Sequence, residues 1–139
     1  MILLDTHVLY WAAAEPRRLS RKAVRIIEKA APAGGVFVSA VTLYELAGMV
    51  RRGQVRAPGS PQAAVENLVQ AVRAGIHEVT PEVAVLAQYF PDDFPHDPLD
   101  RLIAATARAW GISLVTRDER MIDSPLVDTI WEGLGEDAR

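Results

Sequence analysis

With 139 residues, 50% of them hydrophobic and 24% charged, the chain has the size and balance of one folded domain able to bury a single core. It has no cysteine, which excludes disulfides, thiolate metal sites and cysteine nucleophiles. Eighteen acids against fifteen bases leave a net charge of −3, so attachment to nucleic acid through net charge alone is excluded as well.

The opening run, Met1 to His7, is apolar without a positive leader and holds Asp5 inside it. It is read as mature protein rather than a signal peptide, and the cytoplasm is the expected compartment. No stretch approaches the ~20 apolar residues of a membrane helix, so no membrane partner is expected. Ile2-Leu3-Leu4 predicts a short buried strand, followed by an apolar turn over Val8 to Ala14. Ser20 is a natural N-cap for a helix whose apolar positions are Ala23, Val24, Ile27 and Ala31, ended by Pro32 and Gly34-Gly35. Val36 to Val38 predicts a second strand, and Ser39 then caps a helix from Ala40 to about Arg52.

After a Pro/Gly/Ser loop, Gln62 to Ala74 predicts a third helix and Ile76 to Val79 a third strand. Thr80-Pro81 opens a helix to about Phe90, and Pro91 to Pro95 forms a turn. Asp97-Pro98 starts a well-marked helix to Trp110, because aspartate suits the cap and proline the first helical position. Ser113 to Val115 is a fourth strand, and Asp128 to Trp131 a candidate fifth. Strands alternating with helices predict an α/β fold: three layers, α/β/α, around a parallel sheet of four to five strands, with residues 1–139 as one domain. In such sheets ligands bind beyond the carboxyl ends of the strands.

Four acids fall at or near that edge. Asp5 follows the first strand and Asp118 lies three residues past the fourth; each also suits a turn or cap. Glu45 sits on a helix that is apolar nearly all round, where an ionised carboxylate needs a partner or a metal; reaching Arg52 at the rim is its ordinary alternative. Asp100 lies in the first turn of its helix beside the apolar stripe Leu99, Leu102, Ile103, Thr106 and Trp110, with Arg101 and Arg108 pointing away. Asp97 is more readily the cap of that helix. No lysine is near any of the four in sequence, so a hard divalent ion, Mg²⁺ or Mn²⁺, is the natural compensator. Such ions on carboxylates activate water against a phosphodiester.

Four segments resemble PIN-domain nucleases, and among them the VapC-like toxins of toxin–antitoxin pairs: Leu4 to His7, Val38 to Glu45, His96 to Ala104 and Leu114 to Arg120. They match in order and spacing over essentially the whole chain. The resemblance implies an α/β/α sandwich, Mg²⁺- or Mn²⁺-dependent endoribonuclease activity, a homodimer, and silencing by a small antitoxin covering the cleft. It places the catalytic set on Asp5, Glu45, Asp100 and Asp118, with Asp5, Asp100 and Asp118 as metal ligands. Thr6, Ser39 and Thr116 become hydroxyls that hold acids or water, with Asp97 a further acid nearby. Tyr44 stands where an indole is frequent, and the tail from Trp131 to Arg139 runs past the usual end.

Arg51, Arg52, Arg56 and Arg117 are candidate RNA contacts, with Arg101 and Arg120 as alternatives; the first three also suit the end of a helix dipole. His7 and His96 flank the site as turn or supporting residues. Tyr89, Phe90 and Phe94 suit either a dimer or antitoxin surface or core packing. An aspartyl-nucleophile phosphatase would need an acid where His7 stands, and a phospho-acceptor receiver domain a lysine after a late strand, yet both lysines, Lys22 and Lys29, lie in one early helix. The remaining alternatives are a PIN-like module that binds RNA or a partner without cutting, and a nuclease of RNA processing outside a toxin–antitoxin pair.

Overall fold

The computed structural model describes residues 1–132. Five parallel strands form the sheet: β1 Ile2–Leu4, β2 Val36–Ser39, β3 Gly75–His77, β4 Ser113–Val115 and β5 Thr129–Ile130, in the order β3-β2-β1-β4-β5. β1 is central, with Leu3 opposite Phe37 on one side and Leu114 on the other. Its three residues are all buried because both faces of the sheet are covered, which is why the strand reads as an unbroken apolar run.

The pleat divides the core. Ile2, Leu4, Val36, Val38 and Val115 face helices α1 Thr6–Ala14, α2 Arg21–Ala30, α3 Ala40–Arg51 and α4 Pro61–Ala71. Leu3 and Leu114 face α5 Pro81–Gln88, α6 Pro98–Trp110 and α7 Glu119–Ile122. The result is the expected three-layer sandwich. Among the described residues no helix is long and apolar enough to cross a membrane.

The expected turn over Val8 to Ala14 is instead the helix α1. Past Thr6 and His7 its residues are apolar, alanine or Tyr10, so no polar face betrays the period; packing of Val8, Leu9 and Trp11 and capping by Asp5 set it. α7 was equally invisible, being four residues capped by Asp118. Trp131 packs against Trp11 with ring centroids 6.2 Å apart, and its carbonyl accepts the Ser20 hydroxyl, which ties the start of the tail to α2. The rest of that tail, 133–139, lies outside the described residues. Phe90 and Phe94 stack in the core at 4.2 Å, whereas Tyr89 is exposed; packing accounts for two of the three.

β3 runs close under its neighbour: a Cβ on Gly75 would lie 2.8 Å from a Phe37 ring carbon, and that ring is held by stacking on His77. Gly75→Ala is therefore expected to cost about 1–3 kcal/mol. Urea denaturation measures it; a loss within error would mean the ring shifts freely.

Candidate active site

Asp5 leaves the carboxyl end of β1 and turns the chain into α1. Its Oδ1 accepts the Thr6 N–H at 2.9 Å and its Oδ2 the Thr116 hydroxyl at 2.8 Å. Thr116 follows β4 and also accepts the Asp118 N–H at 3.0 Å, so one buried hydroxyl fixes two of the acids relative to each other. Glu45 reaches the same edge from α3. Its Oε1 accepts the Thr6 hydroxyl, which lies 2.9 Å from that of Thr42. Asp100 arrives from the first turn of α6, whose cap is Asp97, accepting the N–H groups of Leu99 and Asp100 at 2.8 and 3.2 Å.

All four carboxylates line one cavity of about 530 Å³, together with Asp97, Thr6, His7, Trp11, Arg117 and Arg120. Crowding and burial show in their acidities. Burial raises the Asp5 carboxyl, partly offset by the bonds from Thr116 and Thr6. Burial likewise raises Glu45 against the Thr6 hydrogen bond. Asp100 is pushed up to about 7, first by burial and then by repulsion from Asp5, Asp97, Glu45 and Asp118. Asp118 goes the other way: burial pushes it up, but its bonds to Arg120 prevail and hold it low.

With no lysine nearby in sequence, compensation of the acids is expected from a divalent ion, with Arg120 only an alternative phosphate contact; the structure puts Arg120 on two of the acids. Its guanidinium grips Asp118 in bidentate fashion at 3.2 and 2.9 Å and lies 3.7 Å from Asp100. Two sequence candidates leave the site. The Ser39 hydroxyl accepts the Val41 N–H at 3.2 Å and caps α3 instead of holding an acid. Arg101 does not point away to meet phosphate: its guanidinium donates to the carbonyls of Ala87, Phe90, Pro91, Phe94 and Pro95, pinning the turn before α6. His96 bonds the Asp92 carbonyl at 2.6 Å and faces a different cavity. His7 lines the acid cavity, as does Arg117, whose guanidinium lies 5.9 Å from the Trp11 ring centre.

Arg51 and Arg52 line an adjoining cavity of about 450 Å³ that shares Thr6, His7 and Glu45 with the first and has the exposed Tyr44 on its wall; Arg56 is not among its lining. Sequence reasoning missed Thr42 and Trp11. Thr42 was within reach of a helical-face argument, being three positions before Glu45; Trp11 was not, because its helix was unread.

The donor set is chemically suited to a hard divalent cation: carboxylate oxygens from several segments, three of them on groups whose pKa is raised by burial and crowding that a positive charge would relieve. As placed, no three acidic or imidazole groups among the described residues converge into a ready cage. Thr116 and Thr6 engage Asp5, and Arg120 engages Asp118, so a bound ion would have to compete with Arg120.

A PIN domain model matches residues 2–125. Ribonuclease VapC22 of Mycobacterium tuberculosis is 39% identical over 132 residues, covering 94% of this chain and 98% of the relative. Among solved structures, a chain of VapBC2 from Rickettsia felis bound to a promoter DNA fragment superposes with a TM-score of 0.72 at 19% identity, covering 95% of this chain and 100% of that one. A chain of DNA-bound VapBC from Salmonella typhimurium gives 0.69 at 19% identity, over 93% and 96%. VapC20 of Mycobacterium tuberculosis, a Sarcin-Ricin loop cleaving toxin, gives 0.57 at 21% identity, over 92% and 99%. At these identities the structural matches speak to the fold.

Proposed function

Because the chain belongs to the PIN-domain family, we propose that it is an endoribonuclease, the toxin of a toxin–antitoxin pair, and that it cuts RNA at its acid cluster with Mg²⁺ or Mn²⁺. The observation that carries this reading is the convergence of Asp5, Glu45, Asp100 and Asp118, from four separate segments, on one cavity at the carboxyl edge of the sheet. A ribonuclease relative matching along nearly its whole length supports the same activity. The partners proposed with it are an RNA substrate, a small antitoxin over the cleft and a second copy of the chain; the compartment is the cytoplasm, and residues 1–139 act as one nuclease domain.

In this mechanism Asp5, Asp100 and Asp118 would hold the divalent ion. When bound, the ion supplies an acidified water as nucleophile and positive charge for the phosphorane-like transition state. Thr116 keeps Asp5 and the Asp118 loop in register, so two ligands cannot drift apart. Glu45, fixed through the Thr42–Thr6 hydroxyl pair, orients the attacking water; burial raises its pKa, which makes its carboxylate a better proton acceptor. Arg51, Arg52 and Arg117 receive the flanking phosphates. Arg120 is the cation that Asp118 and Asp100 hold in the structure.

The test is cleavage of a labelled structured RNA by purified, antitoxin-free protein with Mg²⁺, with Mn²⁺, with EDTA and with Asp5→Asn. Cleavage that needs metal and disappears in the variant is expected. A folded protein that binds metal and RNA but cuts nothing would instead be a binding module. A protein that cuts, with no small antitoxin gene beside its own, would point to RNA processing.

A further inference from the structure

The acid cavity shares lining residues with two others. On one side it shares Thr6, His7 and Glu45 with the cavity of Arg51 and Arg52. On the other it shares Arg117 with a third cavity, about 430 Å³, that also presents Arg17, Arg18 and Arg21. We propose that these three cavities form one trough for single-stranded RNA, and that Arg17, Arg18 and Arg21, with Arg117, are a second phosphate-binding mouth opposite Arg51 and Arg52. The proposal rests on the nuclease reading and deepens it by assigning the substrate's path.

Four observations carry it. In a chain of net charge −3, four arginines and one carboxylate, Glu132, line one pocket, an excess of positive charge that favours a further anion. All four arginines are exposed, and Arg17, Arg21 and Arg117 make no ion pair among the described residues, while Arg18 has only Glu15 at 3.5 Å. Among the described residues, then, no ion pair but that with Glu15 competes with a phosphate for these heads.

The pocket also accepts an anion already: the Glu132 carboxylate takes the Arg21 backbone N–H at 2.9 Å. Finally, Trp11 joins the pocket to the acids. It lines the acid cavity, and the Arg18 and Arg117 guanidinium groups lie 4.9 and 5.9 Å from its ring centre. One indole thus orients a cation from each of two adjoining cavities. A phosphate backbone crossing the acids meets Arg117 next and the Arg17–Arg21 group after it. The trough is a chain of small cavities, which suits a single strand rather than a duplex.

The test is fluorescence anisotropy of a short unstructured labelled RNA in EDTA, over a salt series, so that binding is read without cleavage. Arg17→Gln with Arg21→Gln should weaken binding about tenfold and lower the slope of log K against log salt by about 1.4, two charges at ~0.7 each for single strands. Arg117→Gln should lower it by about 0.7. Lys29→Gln, the same charge change in the last turn of α2, should leave affinity and slope unchanged. Arg17→Lys with Arg21→Lys should keep the slope, which separates charge from fold.

Unchanged affinity and slope in the glutamine variants would overturn the proposal. So would loss of polyglutamate-peptide binding with RNA binding intact, which would assign the pocket to an acidic protein. RNA binding that depends on these arginines in a protein that cuts nothing would sink the nuclease and leave the trough. Cleavage with no such dependence would do the reverse.

Discussion

In EDTA at pH 8, Asp100→Asn is expected to melt about 3–6 °C above the wild type, while its metal-dependent cleavage of RNA falls by about 100–1000-fold. Both effects come from one carboxylate. Asp100 ionises at about 7 in the fold, against 3.8 ordinarily. Between those values the folded chain binds more protons than the unfolded chain, so stability falls as pH rises from about 4 to about 7 and levels off above that. Asp5 and Glu45 are raised too and add to the same slope, whereas the lowered Asp118 contributes stability that is lost only in more acid solution. An asparagine at 100 keeps the shape and removes the charge, so the fold recovers what the ionised acid costs at pH 8. The same loss takes an oxygen ligand from the ion. Melting temperature followed from pH 4 to pH 8 should show a shallower fall for the variant. Equal profiles would mean that Asp100 is no more crowded than a surface acid; undiminished cleavage would remove it from the machinery.

Arg101→Ala is expected to cost about 3–5 kcal/mol of stability, the largest loss for any charged side chain here. The guanidinium donates to five carbonyls, those of Ala87, Phe90, Pro91, Phe94 and Pro95, at 2.7 to 3.4 Å. Truncation removes that donor from all five, of which Pro91 still accepts the Phe94 N–H at 3.0 Å, and frees the turn that delivers Asp97 and Asp100 to the site. Lysine should restore little, since its single ammonium cannot span the planar fan of acceptors. Urea unfolding of the alanine and lysine variants gives the answer. A loss below about 1 kcal/mol would mean that water replaces the arginine at these carbonyls.

The acids were legible because each breaks a local rule: Asp5 ends an apolar strand, Glu45 interrupts an apolar helix, and Asp118 stands past a strand end. Strand order was not legible, but parallel pairing was, from the βα alternation, and that alone put the acids on one edge. What sequence hid falls into two kinds. α1 lacked a polar face, so period gave no signal, and burial of Val8, Leu9 and Trp11 in the core with the Asp5 cap defines it. The other kind is side-chain direction. Arg101 and Arg120 look alike on paper, each an arginine within two residues of a site acid. One turns back onto the 87–95 backbone and the other forward onto Asp118, a choice set by carbonyls brought near only in the folded chain.

The sheet order has a consequence for how the protein is made. β1 emerges first from the ribosome, yet one of its two edges must wait for β4, whose Leu114 and Val115 pair with Leu3 and Leu4. A nascent chain that ends before residue 113 has no Thr116 to hold Asp5 and no Asp118 at all. Under the reading above, a nuclease that would attack the cell's own RNA is thus chemically incomplete through most of its synthesis. Pairing across more than a hundred residues is also slow to form. The interval between translation and competence is written into the strand order, and it is the time in which a co-translated inhibitor would have to arrive.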